Sequence, residues 1–588
     1  MQETFDKLYE DSRLGQSFGK LYDIITSESN VLLAYRTIKS NKGSTTAGTD
    51  NFIIDNYKAM RKEDFVKHIK NQLTNYRPKA VRRVYIPKPN GDKRPLGIPS
   101  MLDRLIQQMI KQVIEPICEA KFYKHSYGFR PLRSTHHAIS RTMSLINRNK
   151  LHYSVDIDIK GFFDNVNHSL LLKQLWNIGI RDKVLLKIIY KILKTPIKGE
   201  GIPLKGTPQG GILSPLLSNI VLNDLDQWVA GQWENFITKR TYSQNHSKCN
   251  ALRNTSKMKE GYIVRYADDF KIFARDPHSA KKWYHAVRQY LKDRLKLDIS
   301  HEKSKIINIR KGKSEFLGYT LYAIKKSDKW VCNSNIRKKK KLEIKTKAKE
   351  LIKKIQKSPT AQNVLLYNSF ILGIHNYFKY VTNVNLDMQR LAYDLSMTLY
   401  NRFKNIGVRE RPINAPPSYE KFYKSNYTTY KICGIYLYPL ADIRTKVAKS
   451  FSNKRSFYSK DGRESIHKYL KPEVSYEIQK LLISNIPNGT MDYLDNRISR
   501  YSMKMGNCEI TNEFIYAHEV HCHHFKPKKL GGTDEFKNLR IIKIDVHKLI
   551  HATNEETIIK YLKELKLDSE QMKKVNQYRK ACNLLEVS

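Results

Sequence analysis

The chain has 588 residues, too many for a single core, so several domains are expected. Apolar residues make up 40% and aromatic residues 11%, which excludes wholesale disorder. Lys plus Arg number 106 against 56 Asp plus Glu, and the formal net charge of +50 points to a polyanionic partner, nucleic acid above all. The 36 tyrosines offer faces on which bases can stack. Seven scattered cysteines give no disulfide framework and suit a reducing interior. The start, MQETFDKLYEDSR, lacks the apolar core of a signal peptide, and no run of 18 apolar residues marks a membrane span. No membrane association and a cytoplasmic location are expected.

In chain order, residues 1–80 read as helices broken by NKGSTTAGTD (41–50). RRVYIPKPNGDKRPLGIPS (82–100) reads as strand, Pro-Asn-Gly-Asp turn, strand. Leu102, Leu105, Ile106, Met109, Ile110 and Val113 recur at three and four, which predicts a helix over 101–120. HYSVDIDIKGFFDNVNH (152–168) reads as a strand ending in a Gly turn, and 169–195 as helix. A Gly/Pro loop in 201–225 runs into a helix. YIVRYADDFKIFA (262–274) fits a hairpin with its two acids at the turn. The segment 335–357 is a basic helix with Ile344, Ala348, Leu351, Ile352 and Ile355 on one face, and helical pattern continues to about 405. RERPINAPPS (409–418) reads as a connector. Residues 420–500 are basic and give no clear period, and from Cys508 the chain turns His-rich.

The adjacent acids Asp268 and Asp269 lie in an otherwise apolar segment, where unpaired carboxylates are costly to bury. Magnesium takes oxygen ligands, and two ions about 3.5–4 Å apart serve phosphoryl transfer, so a further carboxylate from another strand is expected. In SVDIDIKGFFD, Val155, Ile157 and Ile159 alternate, which puts Asp156 and Asp158 on the other face. Periodicity does not choose between these two.

The ordered blocks DIKGFFDNVNH, GTPQGGILSPLLSNIVLNDLD, YADD and FLGY (316–319) resemble those of reverse transcriptases, most closely the proteins encoded by group II introns. IPKPNGDKRPLGIPS and YGFRPLRSTHHAI (127–139) are similar to the finger blocks of that family, and the GTD of 48–50 to the block before them. The resemblance implies Asp158, with Asp268 and Asp269, as ligands of two Mg²⁺ ions. It also implies Phe163 as the bulky group that selects dNTPs, Gln209 and Gly210 as nucleotide-pocket residues, and Lys88 and Arg94 as triphosphate contacts. Lys303 matches a lysine near the leaving pyrophosphate. Arginine suits phosphate through its fork of donors, and glycine permits close backbone approach. YNSFILGIHNYFKYV (367–381) resembles the thumb, or maturase, segment of the same proteins.

CEITNEFIYAHEVHCHHFKPKKLGGTDEFKNLRIIKIDVHKLIHA (508–552) resembles the HNH nuclease module, a hairpin and helix around one divalent ion. The resemblance implies His524 as general base, His523 and His547 as metal ligands, and Asn538 as the residue fixing the base-bearing loop. Histidine serves as both ligand and base near neutral pH. His518, His521 and His551 crowd the same stretch. Cys508 and Cys522 leave structural Zn²⁺ open, but a full Cys-type site is not expected.

The implied architecture is multidomain α+β: an N-terminal extension and start of the fingers (1–80), fingers and palm with an antiparallel sheet (81–330), an α-helical thumb or maturase domain (331–445), a DNA-binding region (446–504) and a ββα-metal HNH module (505–588). The implied protein binds group II intron RNA, assists its splicing, nicks target DNA and primes cDNA synthesis on an RNA template from the cut DNA end. The alternatives are a splicing-only maturase with silent centres and a defence or CRISPR-associated reverse transcriptase. A homodimer stays open.

Overall fold

The computed structural model describes residues 1–87, 93–424, 427–466, 472–484, 486–487 and 489–588. The chain divides into two compact units, each assembled from separated segments: Met1–Lys121, Leu172–Ser214 and Lys454–Ser588 in one, Phe122–Leu171 and Pro215–Asn453 in the other. The structure is mixed α/β with antiparallel sheets throughout its named strand pairs.

The second unit is built on a four-stranded sheet of β1 (Tyr153–Ile157), β2 (Gly261–Tyr266), β3 (Asp269–Ala274) and β4 (Lys305–Asn308), in the order β2-β3-β1-β4. Val155, Ile263, Ile272 and Phe273 are buried, so the central strands are covered by protein, and helices α1 (Ser214–Gln232) and α2 (Pro277–Leu295) belong to this unit. α2 begins at Asp276, whose side chain accepts from the Ser279 N–H, an N-cap with Pro277 at the first helical position. A second sheet, Ser314–Phe316, Tyr319–Lys326 and Lys329–Ile336, follows.

Three helices come next: α3 (Lys338–Lys357), α4 (Ala361–Phe378) and α5 (Val384–Phe403). Ile344, Ala348, Ile352 and Ile355 of α3 are buried, as the period predicts, while Leu351, expected on the same face, is only half-buried; the helix also carries ten lysines. Each isoleucine buried this way contributes about 1.5–3 kcal/mol. Part of the Pro-rich connector is a strand: Val408–Glu410 pairs with Thr429–Ile432, a partner about twenty residues on that local composition does not reveal.

In the first unit, Arg82–Pro87 and Lys93–Ile98 form the expected hairpin, and Met101–Lys121 the expected helix. The helical stretch of 169–195 is two helices, His168–Ile178 and Lys183–Leu193, broken at Gly179 with φ +115°. A Cβ there would come 3.0 Å from the Gln16 carbonyl oxygen. The unit's C-terminal part contains α6 (Met491–Met503), strands β5 (Val520–His524) and β6 (Leu539–Lys543), and α7 (Ile544–His551). Ile498, Tyr501, Cys522, Leu539, Ile541, Val546, Leu549 and Val575 close one core around them. Among the described residues no helix is long and apolar enough to cross a membrane.

Candidate functional site

The acidic site lies at one end of the four-stranded sheet. Ile157 pairs with Phe270 and Tyr266 with Asp269, so one further step along β1 brings Asp158 opposite Asp269. The two acids at issue on β1 are treated very differently. Asp156 is buried and spent: the Lys271 ammonium is 2.6 Å away, and the hydroxyls of Ser154 (2.6 Å) and Ser314 (3.0 Å) donate to it. Asp158 is half-exposed and faces the Lys303 ammonium at 3.5 Å. Its main chain is pinned, because its N–H donates to the Ser304 hydroxyl (3.1 Å) and its carbonyl accepts from Ser300 N–H (2.8 Å).

The turn carrying Asp268 and Asp269 is held from behind. Arg265 is buried and donates to Asp226 of α1 at 2.8 and 2.6 Å, to Asn219 at 2.9 Å and to the Ala267 carbonyl at 2.8 Å. Ala267 takes a left-handed φ of +58° to make the turn. The YGFRP segment runs alongside, with Tyr127 N–H donating to the Arg265 carbonyl at 2.9 Å. A Cβ on Gly128 would meet the Ala267 nitrogen at 2.2 Å, so only glycine fits there.

Asp269 opens to solvent on its outer side, yet its pKa is pushed up to about 6. Desolvation by the surrounding protein is the largest cause; Lys271 opposes it, and the like charges of Asp156, Asp268 and Asp158 reinforce it. Crowded oxygen donors bearing one sign of charge fit a hard divalent cation such as Mg²⁺. These carboxylates are not drawn into one tight cluster: among the described residues, the one group with three ligand atoms within 4.8 Å of one another is made of histidines. Mutual repulsion gives the acids no reason to close on themselves.

Phe163 follows the αL turn at Gly161 and is half-buried, its ring edge-on to the buried Phe162 at 5.3 Å. In the other unit, Arg94 is exposed on its hairpin. Gly210, φ +110°, abuts the same hairpin, where a Cβ would sit 2.4 Å from the Gly97 carbonyl oxygen, and the Gln209 carbonyl accepts from Gly97 N–H. Lys88 and the Pro-Asn-Gly-Asp turn lie outside the described residues.

The C-terminal histidines form a second constellation. β5 and β6 pair antiparallel, Cys522 opposite Ile541, and α7 follows directly. Alternation along β5 sends His523 toward α7, where its ring meets those of His547 and His551, and the ligand nitrogens of the three lie within 4.8 Å of one another. The Nε2 of His523 is buried without a hydrogen-bond partner. Burial pushes His523 and His547 down to about 3, with neighbouring histidines adding to it, so each offers a neutral nitrogen. An orphaned buried nitrogen amid neutral imidazoles fits a divalent metal of borderline softness. His551 is not among the ligands that the resemblance implies, although its spacing of four from His547 puts both on one helical face. His521 stacks on His547 at 3.5 Å but stands outside the trio.

His524 ends β5 on the opposite face. It stacks on Tyr493 of α6 (5.4 Å, 13°) and bonds through Nε2 to Asp534 at 2.7 Å. Asn538 ties the intervening loop: its amide donates to the carbonyls of Lys526 (3.0 Å) and Thr533 (2.9 Å), and its oxygen accepts from Lys526 N–H (2.8 Å). Cys508 and Cys522 are buried, and neither joins the histidine cluster.

Three carboxylates at the end of an antiparallel sheet define a candidate centre for phosphoryl transfer on nucleic acid. Residues 86–321 match the family model for reverse transcriptase (RNA-dependent DNA polymerase). The chain is 28% identical over 466 residues to the group II intron-encoded protein LtrA of Lactococcus lactis subsp. cremoris, covering 68% of this chain and 76% of that one. It is 34% identical over 321 residues to protein YkfC of Escherichia coli, covering 51% and 82%. It is 25% identical over 270 residues to nuclear intron maturase 2, mitochondrial, of Arabidopsis thaliana, covering 36% of each. The chain belongs to the group II intron-encoded reverse transcriptases and maturases.

Proposed function

We propose that this reverse transcriptase/maturase is also a DNA endonuclease. It would bind its intron RNA, assist splicing, nick one strand of a target DNA, and extend the new 3′ end by copying the RNA with dNTPs. One observation carries the added activity: His523, His547 and His551 gather on a strand–strand–helix module in the same chain as the acidic polymerase-type site.

At the polymerase site, Asp158, Asp268 and Asp269 would hold Mg²⁺, which supplies activation of the primer 3′-oxygen and neutralises charge on the triphosphate. Phe163 would crowd the sugar where a ribose carries its 2′-hydroxyl. Arg94, with Lys88, would hold triphosphate oxygens, Gln209 and Gly210 would line the pocket, and Lys303 would meet the leaving pyrophosphate. The chain's own contribution is positioning and electrostatics. At the second site, His523, His547 and His551 would hold one divalent ion that stabilises charge on the scissile phosphate. His524 would take the proton of the attacking water, and Asn538 would fix its loop. Residues 331–445 would act as the thumb or maturase domain, and residues 446–504 would contact target DNA.

The deciding experiment is nicking of target DNA by the protein–intron RNA complex. Wild type should nick, His524→Ala should nick at least about a hundredfold more slowly, and both should extend a DNA primer on RNA with dNTPs. Nicking by His524→Ala at the wild-type rate would overturn the endonuclease reading and leave a splicing and polymerising protein.

A further inference from the structure

The His524 ring is held from two sides by groups that the proposed chemistry does not otherwise use. Asp534 Oδ1 lies 2.7 Å from Nε2, and Oδ2 accepts from the Thr490 hydroxyl (2.8 Å) and from Lys528 Nζ (3.0 Å). The Asp534 carbonyl accepts from Asn496 Nδ2 at 2.8 Å. Tyr493 lies flat on the ring, and its hydroxyl donates to the Cys522 carbonyl at 3.0 Å. Thr490, Tyr493 and Asn496 all come from α6 or its N-cap. That helix end is itself anchored. Lys39 bridges Asp492 (2.8 Å) and Asp495 (2.9 Å), and Met491 N–H donates to the Met60 carbonyl (3.0 Å).

We infer that Asp534 is the positioning residue of the nuclease: by accepting Nε2–H from His524 it fixes the tautomer and sets Nδ1 as the atom that faces the attacking water. This rests on the nuclease reading above. Three features carry it. A carboxylate accepts and cannot donate, so the shared proton resides on Nε2. The Asp534 carboxylate also accepts from Thr490 and Lys528, and its main-chain carbonyl accepts from Asn496, so both its side chain and its backbone are held in place. Among the described residues no hydrogen bond engages Nδ1. In the step itself, the water proton passes to Nδ1 as the water oxygen bonds to phosphorus. The bond from phosphorus to the leaving sugar oxygen breaks, and that oxygen takes a proton from solvent. The setting of the base is thus referred, through α6, to the helix Glu28–Lys39, which ends in Lys39.

The test uses the full chain with its intron RNA, in single-turnover nicking. Asp534→Ala should slow nicking about a hundredfold, in the range a general base contributes. Target-DNA affinity measured in EDTA and primer extension should both stay as in wild type. Asp534→Asn, whose carbonyl still accepts from Nε2–H, should nick within about tenfold of wild type. In a His524→Ala background, Asp534→Ala should cause no further loss, because two groups acting as one are not additive. Wild-type nicking by Asp534→Ala alongside a strongly slowed His524→Ala would overturn the positioning role and leave the nuclease standing. A further loss in the His524→Ala background would overturn it too, since a folding defect adds where a lost orientation does not. Wild-type nicking by His524→Ala itself would instead remove the nuclease reading.

Discussion

Arg265 and Asp226 form a two-pronged ion pair, 2.8 and 2.6 Å, with both side chains sealed from water, three residues before Asp268. Removing one partner strands a buried charge, so Asp226→Ala should cost about 3–5 kcal/mol. Replacing the pair by Arg265→Met with Asp226→Leu should recover most of that stability. It should not recover primer extension, because the Arg265 bond to the Ala267 carbonyl that shapes the acidic turn is gone. Denaturant unfolding beside primer extension separates the two effects.

The two aspartates of β1 should separate just as sharply. Asp158→Asn should lower primer extension by at least about a hundredfold and leave the melting temperature unchanged, since that carboxylate is half-exposed with one surface lysine beside it. Asp156→Asn should destabilise by about 3 kcal/mol, because Lys271 then lies buried against a neutral group. Equal thermal stability of the two variants would refute this division.

The histidine trio should bind metal without help from cysteine. Metal-stripped protein titrated with Co²⁺ should take up one ion at this site and give the visible spectrum of nitrogen ligation. His551→Ala should weaken that binding at least about tenfold, as expected when one of three ligands is lost, and Cys508→Ser should leave it unchanged. Chelation should abolish nicking by the same route.

His375 makes stability fall in acid. Its Nε2–H donates to the Leu440 carbonyl and its Nδ1 accepts from the Tyr423 hydroxyl, both at 3.0 Å, and burial pushes its pKa down to about 4. The unfolded chain takes up a proton near the ordinary value of about 6.5, and the folded one does not until about 4. Stability is therefore fully present above 6.5 and falls as pH drops toward 4, by up to about 3 kcal/mol. Urea unfolding at pH 7.5 and 4.5 should show this slope, and His375→Gln should make it shallower, the remainder coming from other histidines that burial depresses, His125 and His152 among them.

Much of the organisation was readable in the residues. The helix of 101–120, the hairpin of 82–100 and the buried face of 335–357 follow from periods set by near neighbours, and the structure has all three. The ordered motif blocks carried the family. Less legible was anything depending on distant partners. The strand Val408–Glu410 needs residues 429–431 beside it, and Gly128 is obligatory only because Ala267 arrives against it.

Sequence alone determined that acids, histidines and an excess of basic charge exist in a polymerase-like order, because residue type and short-range period are local properties. The family blocks imply Asp158 rather than Asp156, and only the tertiary structure gives a physical reason, since the buried lysine and the second serine that satisfy Asp156 lie more than a hundred residues away. It likewise brought His551 to His523 and Asp534 to His524. The physical reason is the same each time: a carboxylate or imidazole is defined by what surrounds it, and folding chooses the surroundings.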